Sequence, residues 1–181
     1  MKRRVLFLDR DGVINIDKGF VSQIRDFELV PGIINFVKYF IKNDYQVIIV
    51  TNQSGIGRGY FTEGDFKNLM NHVVEIFSLE GLEILDILHC PHIDGDLCEC
   101  RKPSPGMFDF AIKKWNISPV GSLSVGDNLR DLEAASAAGI QLNFLYGSRE
   151  ESKNVDKQFY VIENLLDAIG IYESLELSSG L

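Results

Sequence analysis

The chain has 181 residues, 45% hydrophobic and 24% charged, with a formal net charge of −8. That length suits one domain with a proper core, and the composition is that of an ordinary globular protein. The acidic balance excludes a general binder of nucleic acid or anionic membrane, since both favour a basic surface, but it leaves room for a locally positive pocket.

In chain order, residues 4–8 (RVLFL) form a short unbroken apolar run, the pattern of a strand buried on both faces. The run is too brief for the core of a signal peptide, and no apolar stretch approaches membrane-spanning length. The expectation is a cytoplasmic protein with reduced thiols. Residues 31–43 (PGIINFVKYFIKN) place apolar side chains at helical spacing, with Pro31 opening the helix. Residues 45–50 (YQVIIV) read as a second strand ending at Thr51. A helix is predicted over 62–81, with Thr62 as its N-cap and Gly81 as its stop. A third strand over 82–88 (LEILDIL) leads into CPHIDGDLCEC at 90–100. Helix 105–116, strand 122–127, helix 129–139 and a strand over 140–147 close the series. This alternation predicts an α/β fold, a doubly wound, mostly parallel sheet flanked by helices. Residues 1–175 read as a single domain and 176–181 as a frayed tail.

Ligands of such sheets bind at the carboxyl ends of the strands. The residues standing there are Asp9, Asp11 and Gly12; Thr51 and Asn52; the cysteine loop with Arg101 and Lys102; and Gly126, Asp127 and Asn128. Carboxylates, a hydroxyl and cations at one edge suit a magnesium ion and a phosphoryl group. In FLDRDGVI, two carboxylates one residue apart can lie on the same side of an extended segment. Such neighbours repel unless a cation lies between them or one is protonated, and with Asp127 they can supply oxygen ligands to Mg²⁺. Thr51 can donate its hydroxyl, and Asn52 its amide, to a phosphoryl oxygen. Gly55, Gly57 and Gly59 do not make a dinucleotide loop, because Tyr60 stands where that motif needs glycine. They read as a tight turn, with Arg58 as a substrate contact. In CRKPSPG, Lys102 can act as a compact charge on a transferring phosphoryl group, and Arg101 as a bidentate clamp.

All three cysteines fall within residues 90–100. Cys90, His92, Cys98 and Cys100 form C-x-H-x5-C-x-C, four ligands of the kind zinc takes in closed tetrahedral sites. With no open coordination position, the zinc is expected to be structural, stiffening the loop over 90–102 that carries Arg101 and Lys102. His89 is the competing histidine, and its adjacency to Cys90 makes joint ligation of one ion awkward.

FLDRDGVIN, VTNQ, RKP and VGDNLRD together resemble the four motifs of the haloacid dehalogenase superfamily of phosphohydrolases, over almost the whole chain. CPH…CECRKP is similar to the branch that holds heptose-bisphosphate and histidinol-phosphate phosphatases. The resemblance implies Asp9 as nucleophile, forming an aspartyl-phosphate, and Asp11 as general acid, then base. It implies Thr51 and Lys102 as phosphoryl stabilisers and Arg101 as a substrate-recognition residue. Magnesium would be held by Asp9, the Asp11 main-chain carbonyl and Asp127, with help from Asn128.

The segments between Asp11 and Thr51 and between Thr51 and Arg101 are too short to hold a cap domain. Specificity is therefore expected from three loops: 17–20, with Asp17 and Phe20; 52–58, with Asn52, Gln53, Ser54 and Arg58; and 92–101. NIDKGFV and TNQSGIGRGYFTE resemble the heptose enzymes, whereas the short gap between His92 and Cys98 resembles the histidinol type. The greater number of matches favours 7-phosphate removal from D-glycero-D-manno-heptose 1,7-bisphosphate, in nucleotide-heptose and lipopolysaccharide biosynthesis. The alternatives are histidinol phosphate as substrate, or a non-catalytic zinc-stabilised phosphate-binding module. A monomer with a small phosphorylated sugar as its partner is expected.

Overall fold

The computed structural model of the protein describes residues 2–147 and 159–179. Its strands are β1 (Arg4–Leu8), β2 (Tyr45–Asn52), β3 (Ile84–Cys90), β4 (Leu123–Gly126), β5 (Leu142–Tyr146) and β6 (Tyr160–Ile162). They form one sheet in the order β3-β2-β1-β4-β5-β6, and every neighbouring pair is parallel. The helices are α1 (Ile33–Lys42), a single turn α2 (Ser54–Gly57), α3 (Glu63–Leu79), α4 (Gly106–Trp115), α5 (Leu129–Ala137) and α6 (Leu165–Ser179).

The unbroken apolar runs follow from burial on both sheet faces. Leu6, Leu8, Val47 and Ile49 pack with Phe36 and Phe40 of α1, Phe66 and Phe77 of α3, and Leu165 and Tyr172 of α6. Val5, Phe7, Ile48 and Val50 alternate to the other face, against Met107 and Phe108 of α4 and Ala134 and Ala135 of α5. Each large apolar side chain so buried contributes about 1.5–3 kcal/mol. The chain builds outward from β1 to β3, then crosses back to lay β4 on the other side of β1. The crevice between the ends of β1 and β4 is the switch point at which ligands of such sheets bind.

Local chemistry explains several boundaries. Thr62 caps α3 reciprocally: its hydroxyl accepts from the Asp65 amide at 3.1 Å, and Asp65 accepts from the Thr62 amide at 2.8 Å. Gly81 follows α3 at φ 74°, the left-handed stop its sequence position predicts. Helix α1 begins two residues after Pro31, because Gly32 is its N-cap at φ 87° and a left-handed residue cannot belong to the helix. Strand β3 reaches Cys90, which pairs with Asn52, so the cysteine loop starts inside the sheet.

Two further elements lie beyond the expected series. Strand β6 is a three-residue edge strand, and α6 runs to Ser179 where a tail was expected from 176; residues 180–181 lie outside the described residues. Helix α6 shows no single apolar stripe in its sequence, since Ala168 and Tyr172 are buried while Leu166, Leu175 and Leu177 are exposed. Between β1 and α1 stands only an irregular segment with a 3-10 turn at Ile24–Asp26, and between β2 and β3 only α2 and α3. No cap domain is inserted at either point.

Candidate active site

Asp9 follows β1, Lys102 follows the cysteine loop, and Asp127 and Asp131 flank the start of α5. The fold brings all four together. Lys102, 2% exposed, donates to Asp9 Oδ1 at 2.9 Å and to the Val50 carbonyl at 2.7 Å, and its Nζ lies 2.8 Å from Asp131 Oδ1. Burial works against its charge, but Asp131 and Asp9 outweigh that effect and hold its pKa above the ordinary lysine value. Oxygens of Asp9, Asp127 and Asp131 lie within 4.8 Å of one another.

Three carboxylates against one ammonium leave the cluster two negative charges in excess. Burial pushes the Asp9 carboxyl up to about 6; Lys102 works the other way, and Asp131 and Asp11 add to the rise. Asp127 is pushed up to about 8 by burial and by the charges of Asp9 and Asp131. Buried like charges with no second cation raise pKa values in this way. An oxygen-lined cluster short of two positive charges fits a divalent hard cation such as Mg²⁺. Gly12 makes the approach of β1 to Asp127 possible: it sits at φ 82°, and a Cβ there would overlap the Asp127 carboxylate.

Asp131 is an acid of this cluster that was not singled out in the sequence, and the Asn128 side chain is engaged at the start of α5. The Asn128 side chain accepts from the Arg130 amide, while Asp131 accepts from the Asn128 amide, so the pair forms the capping box of α5. N-x-x-D after a strand is itself a capping signal, and it was legible. A side chain at Gly126 would collide with Asp131, so the glycine of VGD admits this second carboxylate.

Asp11 is held from three sides. Arg10, fully buried, donates to both of its oxygens at 2.8 Å, Asn15 donates at 3.1 Å and Gln53 at 2.9 Å. Arg10 and Asn15 were not singled out in the sequence. Gln53 also donates to Thr51 Oγ1 at 3.0 Å; Thr51 is buried at the end of β2 and does not line the cleft. Asn52 lines the cleft and also braces the loop: its amide donates to the Lys102 carbonyl, and its oxygen accepts from the Lys102 amide, at 3.0 and 3.1 Å.

A cleft of about 350 Å³ opens above these groups, lined also by Asp17, Phe20, Ser54, Arg58 and Arg101. Asp17 accepts from the Gly19 amide at 2.8 Å, closing a tight turn. That turn presents Phe20, half exposed, edge-on to Tyr60 with ring centroids 4.8 Å apart. Arg101 donates to Asp94 at 2.6 Å, and Arg58 approaches the same carboxylate at 3.4 Å. The Arg101 hydrogen bonds hold the Asp94 carboxyl below its ordinary range.

Cys90, His92, Cys98 and Cys100 converge with all ligand atoms within 4.8 Å of one another and pairwise approaches from 2.8 to 3.8 Å. Ligands of a tetrahedral zinc sit roughly 3.5–3.8 Å apart; the donor set fits that ion, Cys90–His92 and Cys90–Cys98 stand near that spacing at 3.4 and 3.8 Å, and Cys100 lies closer to both Cys90 and His92. His89 is removed from competition, since its Nε2 lies 3.0 Å from Glu63 and its ring stacks on Phe66. The cysteine loop is tied to the cleft directly: Arg101 donates to the His92 carbonyl at 3.1 Å.

The model of the haloacid dehalogenase-like hydrolases matches residues 3–139. A D-glycero-alpha-D-manno-heptose-1,7-bisphosphate 7-phosphatase of Campylobacter jejuni is 41% identical over 167 residues, spanning 92% of this chain and 96% of its own. The D-glycero-beta-D-manno-heptose-1,7-bisphosphate 7-phosphatase of Haemophilus ducreyi is 40% identical over 178 residues, spanning 93% and 98%. The crystal structure of a D,D-heptose 1,7-bisphosphate phosphatase from B. bronchiseptica, complexed with magnesium and phosphate, matches with a TM-score of 0.85. The two are 30% identical, over 94% of this chain and 99% of that one.

Proposed function

The chain belongs to the haloacid dehalogenase-like hydrolases and is a phosphatase, and from that premise we propose that it removes the 7-phosphate of D-glycero-D-manno-heptose 1,7-bisphosphate, supplying nucleotide-heptose synthesis. The observation that carries this reading is the mixed charge of the cleft. It is lined by Asp9, Lys102, Asp127 and Asp131 and also by Arg58 and Arg101. A sugar with two phosphates offers an anion to each set of cations.

In the proposed reaction Asp9 attacks phosphorus with the oxygen that Lys102 does not hold. The bond to the sugar oxygen breaks as Asp11 delivers a proton to it, giving an aspartyl-phosphate and the free alcohol. Asp11 then takes a proton from water, whose oxygen attacks the phosphorus; the bond from phosphorus to the Asp9 oxygen breaks, releasing inorganic phosphate and the free Asp9 carboxylate. Arg10, Asn15 and Gln53 orient Asp11 for both steps. Lys102 meets the charge on the phosphoryl oxygens from a desolvated position, where a fixed cation is most effective. The Thr51 hydroxyl, buried at the end of β2, accepts from Gln53 and so holds the amide that orients Asp11. Asp9, Asp127 and the Asp11 carbonyl are the residues that would hold magnesium, whose two charges offset the repulsion between an anionic nucleophile and a phosphate dianion. Cys90, His92, Cys98 and Cys100 would hold a structural zinc that keeps Arg101 and Lys102 in register.

Histidinol phosphate fits less well, because its ammonium group would meet Arg58 and Arg101. Phosphate release with magnesium, compared as kcat/KM, tests the choice: the heptose bisphosphate is expected to lead by at least about 100-fold, some 2.7 kcal/mol. Equal or reversed preference would overturn it.

A further inference from the structure

Among the described residues β3 is an outer strand of the sheet, and it is seven residues long. At the opposite edge β6 has only three. The β3 sequence, ILDILHC, is apolar over most of its length. Ile84 and Ile87 pack partly against one layer and Leu85 and Leu88 partly against the other, so all four keep exposed surface. A long apolar edge with unpaired main-chain groups is a template for a further strand. The matching strand always at hand in solution is β3 of a second copy, which would pair about a two-fold axis.

Asp86 stands in the middle of this edge. The Cys90 carbonyl accepts from Gln53 on the β2 side, and alternate residues of a strand turn the opposite way, so the Ile87 amide points outward. Asp86 folds back over it, and Oδ1 accepts from that amide at 3.0 Å. Oδ2 accepts from Trp115 Nε1 at 2.7 Å and from Lys114 Nζ at 2.9 Å, at the end of α4. Burial works against the charge, but these three donors outweigh it and hold the carboxyl below its ordinary range. The side chain is 16% exposed, so it is fixed against the strand. The pairing with β2 also skips Leu85, between Ile84 and Asp86, and a bulge of this kind bends an edge away from straight pairing.

We propose that Asp86, latched by Lys114 and Trp115, is a guard that closes the β3 edge to the β3 edge of a second copy and so keeps the chain monomeric. An incoming strand would have to strip Asp86 from the Ile87 amide and bury its carboxylate, which is costly. Two-fold pairing would also bring two such carboxylates into one short strand pair, where like charges repel. Without the acid, residues 84–88 would be an uncharged run of β-forming and apolar side chains, the composition that pairs most readily. The proposal is independent of which sugar phosphate the enzyme takes.

The test is sedimentation velocity of the whole chain under reducing conditions, for wild type, Asp86→Val and Asp86→Asn, over a concentration range wide enough to show a tenfold change in Kd. Wild type is expected to stay monomeric. Asp86→Val is expected to associate at least ~10-fold more tightly than any association wild type shows. Asp86→Asn, which keeps an oxygen over the Ile87 amide and loses the charge, should associate less than Asp86→Val but more than wild type. Hydrogen exchange locates the contact: in Asp86→Val the Ile87 and His89 amides should exchange fast in dilute solution and become protected as it associates. A folded Asp86→Val that stays monomeric overturns the guard, as does association without protection of β3, or a wild type that already pairs through β3. If circular dichroism shows Asp86→Val unfolded, Asp86→Asn decides: association with β3 protection supports the guard, and a folded monomer overturns it.

Discussion

Replacing Asp127 by asparagine should stabilise the magnesium-free protein while destroying its activity. Asp127 has an ordinary pKa of 3.8 and is pushed to about 8 in the fold, first by burial and then by Asp9 and Asp131. The folded state therefore holds a proton that the unfolded chain has already released between those values. Where the native state binds more protons, stability falls as pH rises. The wild type without magnesium should lose stability from about pH 4 to pH 8, and Asp9, raised to about 6, steepens the early part. Lys102 adds no slope there, because its raised pKa keeps it charged throughout.

At about 1.36 kcal/mol per pKa unit, the interval for Asp127 has an upper bound of roughly 6 kcal/mol. Asp9 shares the same repulsion, and protonating either carboxyl relieves the other, so about half is the working figure. For a domain of this size that corresponds to a melting-temperature difference of about 5–10 °C. The assay is thermal unfolding of wild type and Asp127→Asn at pH 5 to 8.5, in dialysed magnesium-free buffer that leaves zinc in place. The variant should melt higher than wild type at pH 8 and show a flatter pH profile. Magnesium should raise the wild type most at the alkaline end and move the variant little. A variant less stable than wild type at pH 8 would refute the charge excess assigned to this cluster.

Asp131→Asn removes one partner of Lys102 and half of the α5 capping box. It should cost about 1 kcal/mol of stability, and stopped-flow phosphate release should show kcat down roughly 10- to 100-fold, with a smaller change in KM. Cys98→Ser removes one of the four proposed zinc ligands; elemental analysis should find less zinc in the purified variant than in wild type, with a lower melting temperature and, through Arg101, a raised KM for the proposed bisphosphate substrate. Zinc retained in full by the variant would exclude Cys98 as a ligand. Gly12→Ala combines a strained left-handed backbone with overlap of Asp127, so magnesium titration should show weakened binding and phosphate release should be nearly lost. Arg10→Lys keeps the charge beside Asp11 but loses the two-oxygen grip; kcat should fall about 10-fold, measured at saturating substrate.

Most of the framework was legible because it is local. The two-faced apolar runs, the Thr62 cap and the Gly81 stop are decided within a few residues, and each lies where its sequence places it. Helix α6 was not legible, because its apolar residues surround the helix and only docking against α1 and the sheet selects the buried ones. Asp131 went unremarked for a similar reason. Asn128 and Asp131 read locally as the capping pair of α5, and only the approach of Lys102 and Asp9 gives the Asp131 carboxylate a second role.

Sequence alone determined which side chains stand at the ends of β1, β2, β3 and β4, since strand termini follow from apolar runs and their polar punctuation. It also determined the donor set of the cysteine loop, where four ligands lie within eleven residues and need little chain closure. Only the tertiary structure decided which of those ends meet. Laying β4 against β1 brings Asp131 and Asp9 to Lys102, pairs far apart in the chain whose approach no local pattern encodes. Packing likewise turned Arg10 from one charge among many into a fully buried brace for Asp11, because a guanidinium withdrawn from water must find its carboxylate within reach.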